Sequence, residues 1–169
     1  MTKKRSALVV AFAAVAAGVA GVAVATPPSG VLSGLVMARA AFADRVSVRF
    51  AVKGSDNGTE IVRVTDAQDS VIQQIILGPN GHTGWHSHPG PVVVLVKSGE
   101  LTLYSGDDPA CTGRTYSPGQ AFIDSGQGHV HFARNLSSSQ NTELWATYFD
   151  VPPGGAFRID MPAPGNCPF

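Results

Sequence analysis

The stretch GPNGHTGWHSH (78–88), followed after Pro89-Gly90 by PVVVLVKSGELTLYSG (91–106), decides how the chain reads. A glycine-rich loop delivers two histidines two residues apart, and two apolar runs rich in β-branched residues follow on either side of Lys97-Ser98-Gly99. Such runs, bounded by glycine and proline, read as strands, and the Lys97-Ser98-Gly99 turn predicts a hairpin. The pattern continues in both directions. Upstream lie RVSVRFAV (45–52), EIVRV (60–64) and SVIQQIIL (70–77); downstream lie TYSPGQAFI (115–123), HVHFARN (129–135) and TELWATYFDV (142–151). Short strands at this spacing, with turns between them and no amphipathic helix, predict an all-β sandwich or barrel. A jelly roll of about eight strands fits the length. Residues 26–43 mix Pro, Gly, Ser and small apolar residues, and read as a lead-in rather than a core element. The tail PPGGAFRIDMPAPGNCPF (152–169) is too rich in Pro and Gly for a regular element, and is expected to lie against the barrel.

The 169 residues suit one domain. Lys3, Lys4 and Arg5 precede an uncharged apolar stretch, residues 6–25, that ends in Ala23-Val24-Ala25. That order, positive then apolar then small-x-small, predicts a signal peptide with cleavage after Ala25. An uncleaved membrane anchor is the rival reading, although Ala and Gly make the stretch only mildly apolar. The expected organisation is therefore a leader at 1–25, the lead-in at 26–43 and a barrel with its tail at 44–169. The chain carries 12 Lys+Arg and 12 Asp+Glu, and losing the leader would leave 9 against 12. No basic patch remains for nucleic acid or an anionic surface. Cys111 and Cys167 are the two cysteines, too far apart for a CxxC zinc site, and in an oxidising compartment they are expected to pair.

All five histidines fall within 50 positions, in two clusters: His82, His86 and His88, then His129 and His131. Residues i and i+2 of a strand share a face, so each His-x-His can aim two imidazoles at one point. Neutral imidazole is the commonest metal ligand. One such pair is weak evidence. Two pairs on separate strands predict a metal site.

At these residues the chain resembles the cupin superfamily, as a small exported single-domain member of the type-2 kind. Its first motif runs from a glycine to His-x-His, then a glutamate, then a closing glycine. Gly81 to His88 and Gly99 match it. The second motif is matched by Gly126-Gln127-Gly128-His129-Val130-His131, continuing to Asn135, with Ser117-Pro118-Gly119 as the preceding turn. The resemblance implies a cupin-type jelly-roll barrel and places His86, His88 and His131 as ligands of one divalent transition metal, with Fe, Zn, Mn, Ni and Cu all open. Two positions depart from the pattern. Val92 stands where the family has its glutamate ligand. Gly126 stands where it has a proline, a change expected only to loosen a turn. A three-histidine set results, with His129 or His82 available as a fourth ligand or as part of the pocket.

Dioxygenase, isomerase and lyase chemistry are all implied for such a site, and no catalytic residue is singled out; the alternative is a non-catalytic module that captures a metal or small ligand. A small molecule is the expected partner. The membrane enters only through an uncleaved leader, and a homodimer stays open. Gln73 or Gln74 should face inward from its apolar strand, where the amide needs a hydrogen bond. Trp85 and Trp145 read first as core or rim aromatics, and Phe122, Phe132 and Tyr148 as barrel filling that can also line the pocket.

Overall fold

The computed structural model describes residues 24–53 and 58–169. The leader expected at 1–25 lies outside them except for its last two residues. Every regular element described is a strand. In chain order they are β1 (Ser29–Ala41), β2 (Val48–Lys53), β3 (Thr59–Val64), β4 (Asp69–His82), β5 (His86–Ser87), β6 (Val92–Ser98), β7 (Leu101–Ser105), β8 (Arg114–Tyr116), β9 (Ala121–Asp124), β10 (His131–Arg134), β11 (Thr142–Val151) and β12 (Ile159–Asp160).

Two layers face each other. One runs β1-β4-β11-β6-β9, and the other runs β12-β5-β10-β7-β8. The long β4 joins them, because its last residue, His82, pairs with Arg134 of β10. A nearly closed barrel results. Strands β2 and β3 form a separate hairpin. The core draws on both layers: Leu77, Val96 and Leu144 from the first meet Leu101, Tyr116 and Ala133 from the second. A second cluster, Val71, Val92, Ala146, Tyr148 and Val151, fills the other end. Inward residues alternate along β11, as the pleat requires.

Three expectations need correction. The hairpin at Lys97-Ser98-Gly99 is a corner instead: β6 pairs with β11 and β9, while β7 pairs with β10 and β8. At Gly99 φ is +69°, and a Cβ there would lie 2.4 Å from the carbonyl oxygen of Asn141. Glycine thus lets the chain turn from one layer to the other against backbone. The lead-in holds a 13-residue strand, β1, which pairs along β4. Its small residues and its exposed Val31, Leu32, Leu35, Val36 and Met37 give no alternating pattern to read. The tail does lie against the barrel, but it also supplies β12, whose Ile159 and Asp160 pair with Ser87 and His86 of β5.

Cys111 and Cys167 form a disulfide, with Cα atoms 5.2 Å apart and a sequence separation of 56. Closing a loop of that length stabilises the fold by about 4 kcal/mol on the chain-entropy model.

Candidate metal centre

Strand pairing brings the two histidine motifs together. His86 is the direct register partner of His131, and the edge strand β12 supports His86 from the other side. His88 follows β5, and its carbonyl accepts the backbone N–H of Gln127 in the second motif. The three rings are buried, with centroids 4.2 Å apart for His86 and His131, 4.9 Å for His86 and His88, and 5.2 Å for His88 and His131. One nitrogen from each lies within 4.8 Å of the others.

The outer nitrogens say which ones are free. Nδ1 of His86 sits 2.9 Å from the Gly84 carbonyl oxygen, and Nδ1 of His88 sits 2.7 Å from that of Phe157. A carbonyl only accepts, so each Nδ1 carries the proton and each Nε2 keeps its lone pair. Nδ1 of His131 lies 2.9 Å from Oδ2 of Asp124, off the line of an N–H hydrogen bond but close enough for the carboxylate to favour a proton there. Three Nε2 lone pairs held by carbonyl or carboxylate neighbours are what a transition metal needs from imidazole ligands. The donor set fits such an ion.

Electrostatics point the same way. Burial, and then the neighbouring His131, lower the pKa of His88 to about 4. Burial followed by His131, His88 and Arg158 holds His86 well below the ordinary imidazole range. Both rings are therefore neutral near pH 7. Burial would raise the Asp124 carboxyl, but His131 and His129 outweigh it and hold that group far below the usual carboxylate range.

Asp124 is the residue the motif reading missed. It is the register partner of Val92, the position where a glutamate is expected. Opposed residues of an antiparallel pair put their side chains on the same face. The carboxylate absent from β6 thus stands one strand over, on β9. It touches His131, takes a hydrogen bond from the backbone N–H of Gly126, and lies 3.0 Å from Nδ1 of His129. Period-two reading of Phe122-Ile123-Asp124 could have found it, since Asp124 shares a face with Phe122.

His129 does not join His86 and His88. It groups with Asp124 and His131 instead, and its Nε2 is 2.8 Å from Oγ of Ser105. Asp124, chiefly through the hydrogen bond it accepts from Nδ1, raises the pKa of His129 against the effect of burial. His82 belongs to neither group among the described residues. It stacks on Phe132 with centroids 4.9 Å apart, and its Nδ1 accepts the Gly84 N–H. Gly126 does more than loosen a turn. Its φ is +59°, which proline cannot adopt, and a Cβ would stand 1.9 Å from the Gly90 carbonyl oxygen. Only glycine lets the two motifs meet there.

Around the site, Gln73 is the inward amide: its Oε1 accepts the Tyr148 hydroxyl at 2.8 Å. Gln74 bonds Glu143 instead. Asn135 braces the turn before β11, donating to the carbonyls of Leu77, Gly78 and Gln140. Trp85 is fully buried, packed on Phe132 and Phe169.

Two facing layers joined through β4, with a histidine cluster inside near one end, define a protein of the cupin fold. Among solved structures, the chain is similar to a conserved protein with a double-stranded β-helix domain from Klebsiella pneumoniae, at 22% identity over 55% of this chain and 70% of that one, TM-score 0.45. It is similar to oxalate oxidase at 21% identity over 48% of this chain and 41% of that one, TM-score 0.41. A cupin superfamily protein from Desulfitobacterium hafniense shares 13% identity over 60% and 75%, TM-score 0.39. No protein-family model and no curated protein matches the sequence.

Proposed function

We propose that this chain is an exported metalloprotein that holds one divalent transition metal with His86, His88 and His131 and acts on a small molecule at that centre. One observation carries the reading: three buried imidazoles bring one nitrogen each within 4.8 Å of the others, while Nδ1 of His86 and His88 is tied to a backbone carbonyl and Nδ1 of His131 lies beside Asp124. A bound ion would supply Lewis-acid polarisation of a carbonyl or enediol, or a place for O₂. The chain's own residues do the rest. Asp124 orients His131 and adds a negative charge that a set of neutral ligands lacks. The Phe157 carbonyl fixes the ring of His88. The apolar barrel wall excludes water from the far side. Dioxygenase, isomerase and lyase chemistry are the classes in view, with residues 1–25 as the export leader. The disulfide suits an oxidising compartment, and no helix among the described residues is long and apolar enough to cross a membrane.

A second reading, capture of a metal or small ligand without turnover, draws on the mouth of the barrel. Among the described residues lining it there is no carboxylate, and burial raises the pKa of Tyr148, so its hydroxyl stays protonated and offers no phenolate to take up a proton. Metal analysis of protein purified from its native compartment, followed by an O₂-uptake and small-molecule turnover screen, separates the two. Stoichiometric metal with turnover supports the first reading. Metal without any turnover supports the second; absence of metal from a folded, disulfide-bonded preparation rejects the first, and absence of both metal and small-ligand binding rejects the second as well.

A further inference from the structure

The histidine cluster opens on one side into a cavity of about 220 Å³ between β1, β4 and the tail. His86 and His88 reach it from the barrel, Val31, Ile75 and Phe157 supply apolar wall, and Arg158 lines it as well. Among the described lining residues Arg158 carries the one formal charge. Its guanidinium is held in place by two bonds. Nη2 donates to the Thr83 carbonyl at 2.6 Å, and Nε donates to Oδ1 of Asp160 at 2.7 Å. Nη1 has no partner among the described residues, and the side chain is only 26% exposed. Arginine cannot shed its charge, so the guanidinium stays cationic beside neutral imidazoles, partly offset by Asp160.

We propose that the cavity binds a small monocarboxylic acid, with its carboxylate on Arg158 and its short apolar body along Val31, Ile75 and Phe157 toward His86 and His88. Guanidinium and carboxylate match in shape and charge, and partial withdrawal from water strengthens the pairing. A cavity below the usual drug-sized range admits a short-chain acid rather than a large one. Phosphate is disfavoured because one arginine is the only cation, and the nearby Gln73 amide already donates to the Gly34 carbonyl. Asp160 matters too. It already pairs with Arg158 and competes with the ligand, so the protein sets its own ceiling on affinity. As the substrate class of the metal centre, the inference rests on the reading above, whereas carboxylate binding to Arg158 does not require the metal.

The test is calorimetric titration of the full chain with propionate, propionamide and inorganic phosphate, metal-free and after loading with Co²⁺. Wild type is expected to bind propionate at least tenfold more tightly than propionamide and more tightly than phosphate. Arg158→Gln should abolish that preference while taking up Co²⁺ as wild type does. Asp160→Asn should tighten propionate severalfold, an effect that a damaged fold cannot imitate. An intact preference in Arg158→Gln, weaker binding in Asp160→Asn, or phosphate binding as tightly as propionate overturns the proposal. Failure to bind Co²⁺, with the carboxylate preference intact, leaves the anion site standing and sinks the metal reading alone.

Discussion

The two His-x-His segments have the same spacing and opposite fates. In the first, both rings lie inside the barrel and present nitrogens to one point. In the second, His131 joins them and His129 turns to Ser105, with Asp124 between the two rings. The difference lies in the backbone. His86 opens β5, and His88 follows in a short segment tied to the Gln127 N–H. His129 precedes β10 and emerges from Gly126-Gln127-Gly128, where φ is +59°, +53° and +93°. A two-residue period assigns faces only to residues that lie in extended backbone. His129 stands ahead of β10, so its ring stacks beside His131 and meets the same Asp124 oxygen without entering the cluster with His86 and His88.

The comparison breaks most sharply at the metal. His131→Ala should lower metal affinity by roughly 100-fold or more, since two imidazoles and water hold a divalent ion poorly. His129→Ala should lower it by no more than about fivefold, because that ring is not in the ligand group. Inductively coupled plasma analysis and a competition titration read both; equal losses would make His129 a ligand. Asp124→Asn comes next. Orienting partners of metal-bound histidines are worth about 10–100-fold in affinity, and a Co²⁺ spectrum should shift along with the affinity if the carboxylate acts through His131.

The two motifs should also carry opposite pH signatures in the metal-free protein. His88 has a folded pKa of about 4 against an ordinary 6.5. Between those values the unfolded chain binds the extra proton more readily, so stability present above pH 6.5 is lost as pH falls toward 4. His129 has a raised folded pKa. Its contribution is fully present below pH 6.5 and is lost as pH rises through the folded value. Denaturant midpoints across pH 4–8 should show His88→Gln flattening the acid side and His129→Gln flattening the neutral side. The smallest effect expected is His82→Gln, which should leave metal affinity within about twofold while costing some packing on Phe132; a larger loss would bring His82 back as a ligand.

The clustering of His86, His88 and His131 was legible because two short motifs carry their own geometry: a loop, a strand and a repeated two-residue spacing. Asp124 was legible only by half: the two-residue period puts it on one face with Phe122, but its place beside Val92 depends on which strand lies next to β6, and register partners are not local information. The corner at Gly99 failed for the same reason. Glycine after a polar pair suits a hairpin and a corner equally, and only the neighbours of β6 and β7 distinguish them. Strand β1 is a weaker case still: it is largely exposed, so burial never imposed an alternation on it. Arg158 sits in a segment whose Pro and Gly content argued for no structure, yet the backbone N–H of Met161 bonds the Trp85 carbonyl and β12 pairs with β5.

That tail gives the disulfide a reach beyond its own sulfurs. Cys111–Cys167 secures the segment whose Phe157 carbonyl fixes His88 and whose Arg158 lines the cavity. A thiol reductant acting at the surface would leave this strap held by the pairing of β12 with β5 and the Met161–Trp85 backbone bond, so the acceptor that keeps the His88 ring from rotating would rest on those alone. On the proposed reading, a bound ion would then leave sooner with none of the three histidines changed, and the oxidation state of the surroundings would bear on how long the centre keeps its cargo.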